Sequence, residues 1–449
     1  MKPHDGMLLV VGSGLSVYRE YLVSSASRRA REAGYDLWLI NGTTPTWQRP
    51  YLAGWTVTNV HDHDNLAATA RKLAATHRVV GVLCWDEPLV LPSAMIAAEL
   101  DLPGLGTDGV LGCRDKHRTR QLLHAAGLTQ PAHGYATSPT QARELAASIG
   151  YPVVVKPRAL GASIGVVLAE DQAQLDRAYQ VAAQASLAGD QPYQGGALIE
   201  EYLDGPEVSI DGVVVDGDYR PMYLARKQTG WEPYFEEIGH VVDPADPLLA
   251  DPALRDLLAV SHRVLGIGFG MTHTEVKLTR RGPVIVEVNG RLGGDLIPYL
   301  GKLATGIDPG EVLVEVATGN QPRFTVEKRR AAGIRFGYPP YDCRVTELSL
   351  PQPDPAAGLV SAVAMVGPGT ELRLPPGGYI ARHSFVVCTA ADPDTCTTRL
   401  GQAIDRVRLA AEPLPPPPEG TPFQMPAGLL DVEDDGSPGP LTDAARERL

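Results

Sequence analysis

The chain reads as an α/β protein, with a parallel-sheet domain at its N-terminus followed by α+β units. Three observations predict this. The opening segment alternates strand and helix. The apolar strand PVVVK then leads into the small-residue loop PRALGASIG and begins a second α+β unit. Further on, THTEVKLTRRGPVIVEVNGR reads as strand, turn and strand with its charges gathered on one face.

Taken in order, MLLVVGSG is a strand and turn, YREYLVSSASRRAREAG a helix closed by glycine, and YDLWLIN a second strand. A helix at NLAATARKLAATH, the strand VVGVLCW and a helix through LPSAMIAAEL complete a βαβ pattern, which implies a parallel sheet. VGSGLS lacks the third glycine of a dinucleotide fingerprint and reads as a tight turn. CRDKHRTRQLLHAAG is read as one helix ended by Gly127, before an extended segment entered at Pro131. The next unit runs helix PTQARELAASIG, strand PVVVKPR, strand GVVLAED, helix AQLDRAYQVAAQ and strand ALIEEYL. From Glu207 the chain is rich in strands, EVSIDGVVVDG and YRPMYLARKQT, before the helix PALRDLLAVSHRVLG. Short strands and turns fill Lys328 to Ala411, and the tail from Glu412 is rich in proline, glycine and acids. Such a tail is expected to be largely disordered, with LTDAARERL as a short docked helix.

Composition narrows the function. With 449 residues, 44% hydrophobic and 21% charged, the chain has ample material for several compact units. A net charge of −13 argues against nucleic acid as the main partner, which would need clustered Lys and Arg. No apolar run is long enough to span a bilayer, and MKPHDGMLLVVGSG lacks the regions of a signal peptide, so a cytoplasmic protein is expected. The five cysteines (Cys84, Cys113, Cys343, Cys388, Cys396) are scattered without a C-x-x-C pair and read as buried free thiols. His61 and His63 fall in a polar loop rather than in a zinc pattern.

The ribbon carries the sharpest chemical signal. Centring its turn on Arg281, with Arg280 and Gly282, pairs Glu275 with Glu287, His273 with Asn289 and Lys277 with Ile285. Alternation then places Val276, Leu278, Val284, Val286 and Val288 on the opposite, core face. Directly opposed glutamates destabilise a sheet unless a positive group lies between them. Hard oxygen ligands so placed suit Mg²⁺, which takes a few carboxylates plus substrate phosphates. A solvated polar face, with Lys277 neutralising one glutamate, is an equal alternative from these residues alone.

Other segments could serve a phosphate ligand. Lys156 ends a buried strand beside Gly161, Ser163 and Gly165, a placement that brings a cation and backbone N–H groups together. A plain hairpin loop explains the same residues equally well. Lys116, near a helix start, adds a second cation or is a solvated helix lysine. Glu200, Glu201, Leu203 and Glu207 lie where strand-end groups could meet a nucleoside, or form an edge strand with solvated acids.

In this order, RDK, VVVKP with its loop, IEEYLDGPEVS, THTEVKL and VEVNGR resemble the ATP-grasp superfamily, over essentially Met1 to Ala411. THTEVKL and EEIGHVVDP are similar to blocks of the ATP-dependent L-amino acid ligases, the group of dipeptide synthetases and carnosine synthase. The resemblance implies an ATP-grasp fold: a Rossmann-like N-terminal domain (1–115), a small grasp subdomain with the phosphate loop (116–205), and a large one with the metal site (206–327). A small C-terminal subdomain (328–411) and the tail (412–449) follow. It implies ATP and Mg²⁺, with Mn²⁺ as an alternative ion, small carboxylate and amine substrates, and the homodimers common in the superfamily. By this likeness Lys116, Lys156 and Ser163 contact phosphates, Glu200 and Leu203 present backbone to adenine, and Glu207 holds ribose. Glu275, Glu287 and Asn289 bind the metal, Arg291 is the catalytic cation, and Glu237 and His240 orient the first substrate. Asp295 lines the acyl pocket, where dipeptide synthetases can carry a bulky apolar residue, so their specificity does not transfer simply. The implied reaction is ATP-dependent carboxylate–amine ligation through an acylphosphate. A carboxylase or purine-type ligase acting through carboxyphosphate, and a non-catalytic ATP-binding protein, are the competing readings.

Overall fold

The computed structural model describes residues 5–189 and 193–416. The proline-rich segment 417–449, with the helix expected at LTDAARERL, lies outside the described residues. The N-terminal unit contains β1 (Gly6–Val11), α1 (Ser16–Glu32), β2 (Tyr35–Asn41), β3 (Gly54–Val57), α2 (His63–Ala74), β4 (Val79–Leu83) and α3 (Val90–Glu99). Its strands form the expected parallel sheet, in the order β3-β2-β1-β4. Gly12 and Gly14 both have positive φ, as a tight turn after β1 requires.

Two helices follow where one was expected, α4 (Thr107–Arg114) and α5 (Lys116–Ala125). The break is at Asp115, which is extended and whose carboxylate accepts the His117 and Arg118 amides. An aspartate that caps one helix cannot also continue the one before it.

The small unit comprises β5 (His133–Ala136), α6 (Pro139–Ile149), β6 (Val153–Lys156), β7 (Val167–Ala169), α7 (Gln172–Ser186) and β8 (Ala197–Glu201). Its antiparallel sheet, ordered β5-β8-β6-β7, packs Val153, Val155 and Ile199 against the alanine-rich faces of α6 and α7. The next stretch holds β9 (Glu207–Val215), β10 (Asp218–Gly230), β11 (Glu236–Val242), α8 (Pro252–Val264), β12 (Gly270–Thr279), β13 (Gly282–Asn289), α9 (Ile297–Thr305) and α10 (Pro309–Ala317). Last come β14 (Ala331–Gly337), β15 (Cys343–Ser349), β16 (Leu359–Ala364), β17 (Glu371–Leu372), β18 (Ser384–Ala390), α11 (Pro393–Ile404) and β19 (Arg408–Pro413).

These strands build one eight-stranded antiparallel sheet, ordered β13-β12-β9-β10-β11-β14-β18-β16. It therefore runs on past Lys328 through β14, β18 and β16, while β17, β15 and β19 form a separate small sheet. One face of the large sheet (Val208, Ile210, Val276, Ile285, Val288) is covered by α8, with Cys113 of α4 and Leu123 of α5. The opposite face is apolar toward β14 and β18, where Tyr223, Ile334 and Phe385 share a core with α9, α10 and α1. That shared core joins the N-terminal unit to the sheet and leaves the β12–β13 end of the face for polar groups. The cysteines are free thiols; Cys113, Cys343, Cys388 and Cys396 are buried and Cys84 is partly so. No helix among the described residues is long and apolar enough to cross a membrane.

Gly205 links the small sheet to β9 with φ +142°, and a Cβ there would meet the Leu278 carbonyl oxygen at 2.2 Å. Gly205→Ala is expected to destabilise the fold by about 2–3 kcal/mol, from a backbone clash added to a disfavoured φ. Urea unfolding beside the wild type measures it; an unchanged midpoint would mean this link relaxes freely.

Candidate active site

The β12–β13 hairpin sets the site. Across it His273 faces Asn289 and Glu275 faces Glu287, as the alternation predicts. Beyond this pair the register slips: Val276 faces Ile285 and Lys277 faces Val284, so Val286 is an extra residue in β13. This bulge corrects three expectations. Val284, expected on the core face, lies across from Lys277 on the other one. Lys277 does not face Ile285, and Ile285 rather than Val286 joins the apolar core with Val276 and Val288. Lys277 also neutralises neither glutamate of the pair; its Nζ lies 3.3 Å from Glu207 and donates to the Gly205 carbonyl at 3.2 Å.

The opposed acids draw their cations from elsewhere in the chain. Lys116 Nζ lies 3.0 Å from Glu287 Oε2, and Lys227 Nζ lies 3.0 Å from Glu275 Oε2. Lys227, on β10, is buried and also meets Glu207 Oε1 at 2.6 Å and Glu237 Oε1 at 2.8 Å. Burial works against its charge, but the three glutamates hold the ammonium well above its ordinary pKa. Burial raises the Glu275 carboxyl; Lys227 and His273 outweigh it and hold the group well below the usual range. His273 donates to Asp211 at 2.6 Å, and Asp211 also accepts from the Tyr223 hydroxyl at 3.1 Å and the Gly293 amide at 3.2 Å. Burial alone would lower the imidazole pKa, yet Asp211 carries it up to about 9, so His273 is a cation at neutral pH.

At the small sheet, Lys156 Nζ lies 2.6 Å from Glu200 Oε2. Glu200 turns its side chain inward and also takes Arg120 Nε at 2.6 Å. Burial raises its carboxyl, but Arg120 and Lys156 bring it down to about 2. Leu203 is buried just beyond β8, and Glu207 opens β9. In the loop after β6, Ala162 and Ser163 both have positive φ. Gly165 is needed there for the protein's own packing, since a Cβ would meet Ala185 at 2.6 Å and Pro157 at 2.9 Å. Gly161 is open on that count, with nothing within 4 Å. Lys116 fastens the loop by donating to the Leu160 carbonyl at 2.6 Å. Arg158 reinforces it with two bonds to Asp115, at 2.7 and 2.6 Å.

Arg291 follows β13 and is half-enclosed. Its Nε donates to Glu87 Oε2 at 2.6 Å and its Nη1 to the Leu292 carbonyl at 2.8 Å. Glu87 comes from the loop after β4, so this pair joins the N-terminal unit to the hairpin.

Glu237, His240 and Asp295 converge, with their ligating atoms within 4.8 Å of one another. His240 is fully buried; its Nε2 lies 3.1 Å from Glu237 Oε2 and 3.3 Å from Asp295 Oδ2. Asp295 and Leu296 both hold left-handed backbone (φ +53° and +61°), a strained conformation for residues with side chains. Arg382 offsets it with two bonds to Asp295, at 2.6 and 2.7 Å. The same guanidinium takes the Glu237 carbonyl at 3.0 Å and lies 3.7 Å from the Phe336 ring centre.

Lys227, Arg120, Glu87, Asp211 and Arg382 are the site residues that sequence reasoning missed. The alternation along YLARKQT puts Lys227 in phase with Tyr223 and Ala225, and that phase was the available signal for it. Nothing local marks Arg382.

Residues 149–299 match the ATP-grasp domain family. Alanine–anticapsin ligase from Bacillus subtilis is 26% identical over 268 residues, covering 55% of this chain and 55% of that protein. The chain thus aligns with about half the length of that relative. The L-amino acid ligase from Bacillus licheniformis superposes with a TM-score of 0.73 at 20% identity, over 91% of this chain and 99% of that one. The biotin carboxylase domain of 2-oxoglutarate carboxylase from Hydrogenobacter thermophilus gives 0.64 at 16% identity, over 90% of each chain. Both structures share this protein's fold.

The Glu200 carboxyl yields a pH prediction. A group depressed from about 4.5 to about 2 on folding adds stability that is complete above pH 4.5 and is lost as pH falls through 2. Urea unfolding of wild type and Glu200→Gln should differ by on the order of 2–3 kcal/mol near pH 6 and converge as pH approaches 2. A pH-independent difference would show that Glu200 is not held as a buried anion.

Proposed function

We propose that the protein is an ATP-dependent carboxylate–amine ligase, forming an amide or peptide bond and releasing ADP and phosphate, with an amino acid as at least one substrate. The observation that carries this is the directly opposed pair Glu275 and Glu287, with Asn289 beside them and lysines on either side, inside the stretch that matches the ATP-grasp domain family. The relatives named as amino acid ligases support the amine arm of the reading.

In this reading residues 116–205 and 206–327 are the two halves that enclose the nucleotide. Lys116, Lys156 and the loop around Ser163 receive the phosphates. Backbone at Glu200 and Leu203 meets adenine, and Glu207 meets ribose. Glu275, Glu287 and Asn289 offer hard oxygen donors whose mutual repulsion a divalent ion relieves, which fits Mg²⁺. When bound, that ion spreads the charge that develops on the transferred phosphoryl group. Arg291 then turns from Glu87 to the negative charge of the transferred group and of the tetrahedral intermediate. Glu237 and His240 orient the acid substrate, and Asp295, already engaged by Arg382, shapes the wall behind it.

A carboxylate resists attack by an amine because oxide is a poor leaving group. Phosphorylation converts that oxygen into a good leaving group, the amine adds to the carbonyl carbon, and phosphate departs. No covalent enzyme nucleophile is required, so neither Ser163 nor a cysteine is given one.

Incubating an amino-acid panel with ATP and Mg²⁺, read by phosphate release and product mass, separates the readings. Condensed products are expected. Phosphate release stimulated by bicarbonate, without an amide, would instead indicate a carboxylase. Nucleotide binding without turnover on any pair would indicate a binding protein. Glu287→Gln should lower turnover by at least about a hundredfold while circular dichroism and Tm stay near wild type. Near-normal activity in that variant would remove the metal assignment.

A further inference from the structure

The mechanism above gives Arg120 no role. Arg120 is 1% exposed, and each of its five N–H groups is engaged. Nε donates to Glu200 Oε1 at 2.6 Å, and Nη2 to Glu200 Oε2 at 3.3 Å and to the Val286 carbonyl at 2.8 Å. Nη1 donates to Gln130 Oε1 at 3.1 Å and to the Ile285 carbonyl at 3.0 Å. One side chain thus ties β8 of the small sheet to the bulge of β13, immediately before Glu287. Lys116 lies one helical turn earlier on α5 and bridges the same two parts, from the Leu160 carbonyl to Glu287.

The charge count gives Arg120 a purpose. Glu200 is shared by Arg120 and Lys156, two buried cations on one carboxylate. Lys116 and Glu287 cancel beside them. The cluster therefore holds one positive charge more than its acids balance, in a place where an unbalanced charge is costly. Remove Arg120, and Glu200 and Lys156 become a closed one-to-one pair with nothing to spare for an anion.

We propose that Arg120 is a positioning residue that neutralises Glu200, so that Lys156 remains the surplus cation for a polyphosphate, and that fixes the Glu287 strand through the Ile285 and Val286 carbonyls. This rests on the nucleotide reading above. Arg120 itself touches no substrate, because its donors are consumed within the protein.

The test is calorimetric titration of the full chain with a non-hydrolysable ATP analogue and Mg²⁺. Arg120→Met should weaken binding at least about tenfold, as Glu200 captures Lys156. The double variant Arg120→Met with Glu200→Gln frees Lys156 again and should bind at least about threefold more tightly than Arg120→Met alone. A merely structural arginine predicts the reverse, since the second substitution would compound the damage. Arg120→Lys keeps the charge but cannot serve Glu200 and both carbonyls. It should bind the analogue nearly as wild type does yet lose at least about tenfold in kcat. If Arg120→Met does not fold, this split between affinity and kcat decides the matter. Wild-type affinity in Arg120→Met, no recovery in the double variant, or an unchanged kcat in Arg120→Lys would each overturn the proposal. A wild type that binds no Mg-nucleotide would remove the parent reading and this inference together.

Discussion

Two carboxylates that face each other across neighbouring strands repel, and much of this molecule is arranged to hold Glu275 and Glu287 in that position. At about 5 Å the repulsion is of order 1 kcal/mol in water and several times that in a half-buried site. Each acid is therefore given a cation from a different part of the chain. Lys227 reaches Glu275 from β10, Lys116 reaches Glu287 from α5, and His273, charged by Asp211, stands beside Glu275. Meeting that constraint draws the central strands, the linker helix and the hairpin into one electrostatic unit. The apolar cores behind it provide the rigidity that keeps the acids from turning away.

The bulge at Val286 shows how backbone geometry serves the same end. β13 is the edge strand of the large sheet, so in an unbroken ladder only one of the Ile285 and Val286 carbonyls would face β12 and the other would point away. The extra residue disturbs that alternation, and both carbonyls accept from Arg120. Arg120 in turn reaches Glu200, so one irregularity in the large sheet is coupled to the register of the small one. The N-terminal unit is held in a comparable way, with Glu87 reaching Arg291 across the boundary in addition to the shared apolar core.

This pattern explains what could be read from the sequence. Local periodicity decides which residues share a face, so the parallel sheet, the hairpin and the facing of Glu275 and Glu287 were legible. Helix ends were legible where a cap stands at a break in the pattern, but the cap at Asp115 lies inside a continuous helix-like run and does not stand out. The bulge was not legible: Val286 sits in a run of β-branched residues, and no glycine marks where the ladder slips. Lys227 and Arg382 escaped for a different reason. Their importance comes from partners far away in sequence, and an isolated lysine or arginine in a strand looks like a solvated one. The continuation of the large sheet through β14, β18 and β16 is likewise a matter of long-range pairing that spacing does not encode.

Those distant partners also change how the acid-binding end of the proposed ligase should be understood. Asp295 stands where an acidic residue invites the reading of a free anion that selects a cationic substrate. Arg382 occupies both of its oxygens, and His240 shares one of them. The charge that a substrate meets there is thus the sum over Glu237, His240, Asp295, Arg382 and Lys227 rather than any single carboxylate. Lys227 is common to Glu207, Glu237 and Glu275, the residues assigned above to ribose, acid substrate and metal. A ligand that draws Glu275 or Glu207 away from Lys227 leaves that ammonium more fully to Glu237, and so alters the field at the acid site. On the reading proposed above, one shared ammonium therefore couples nucleotide and metal binding to the field at the acid site, and by linkage that coupling runs both ways.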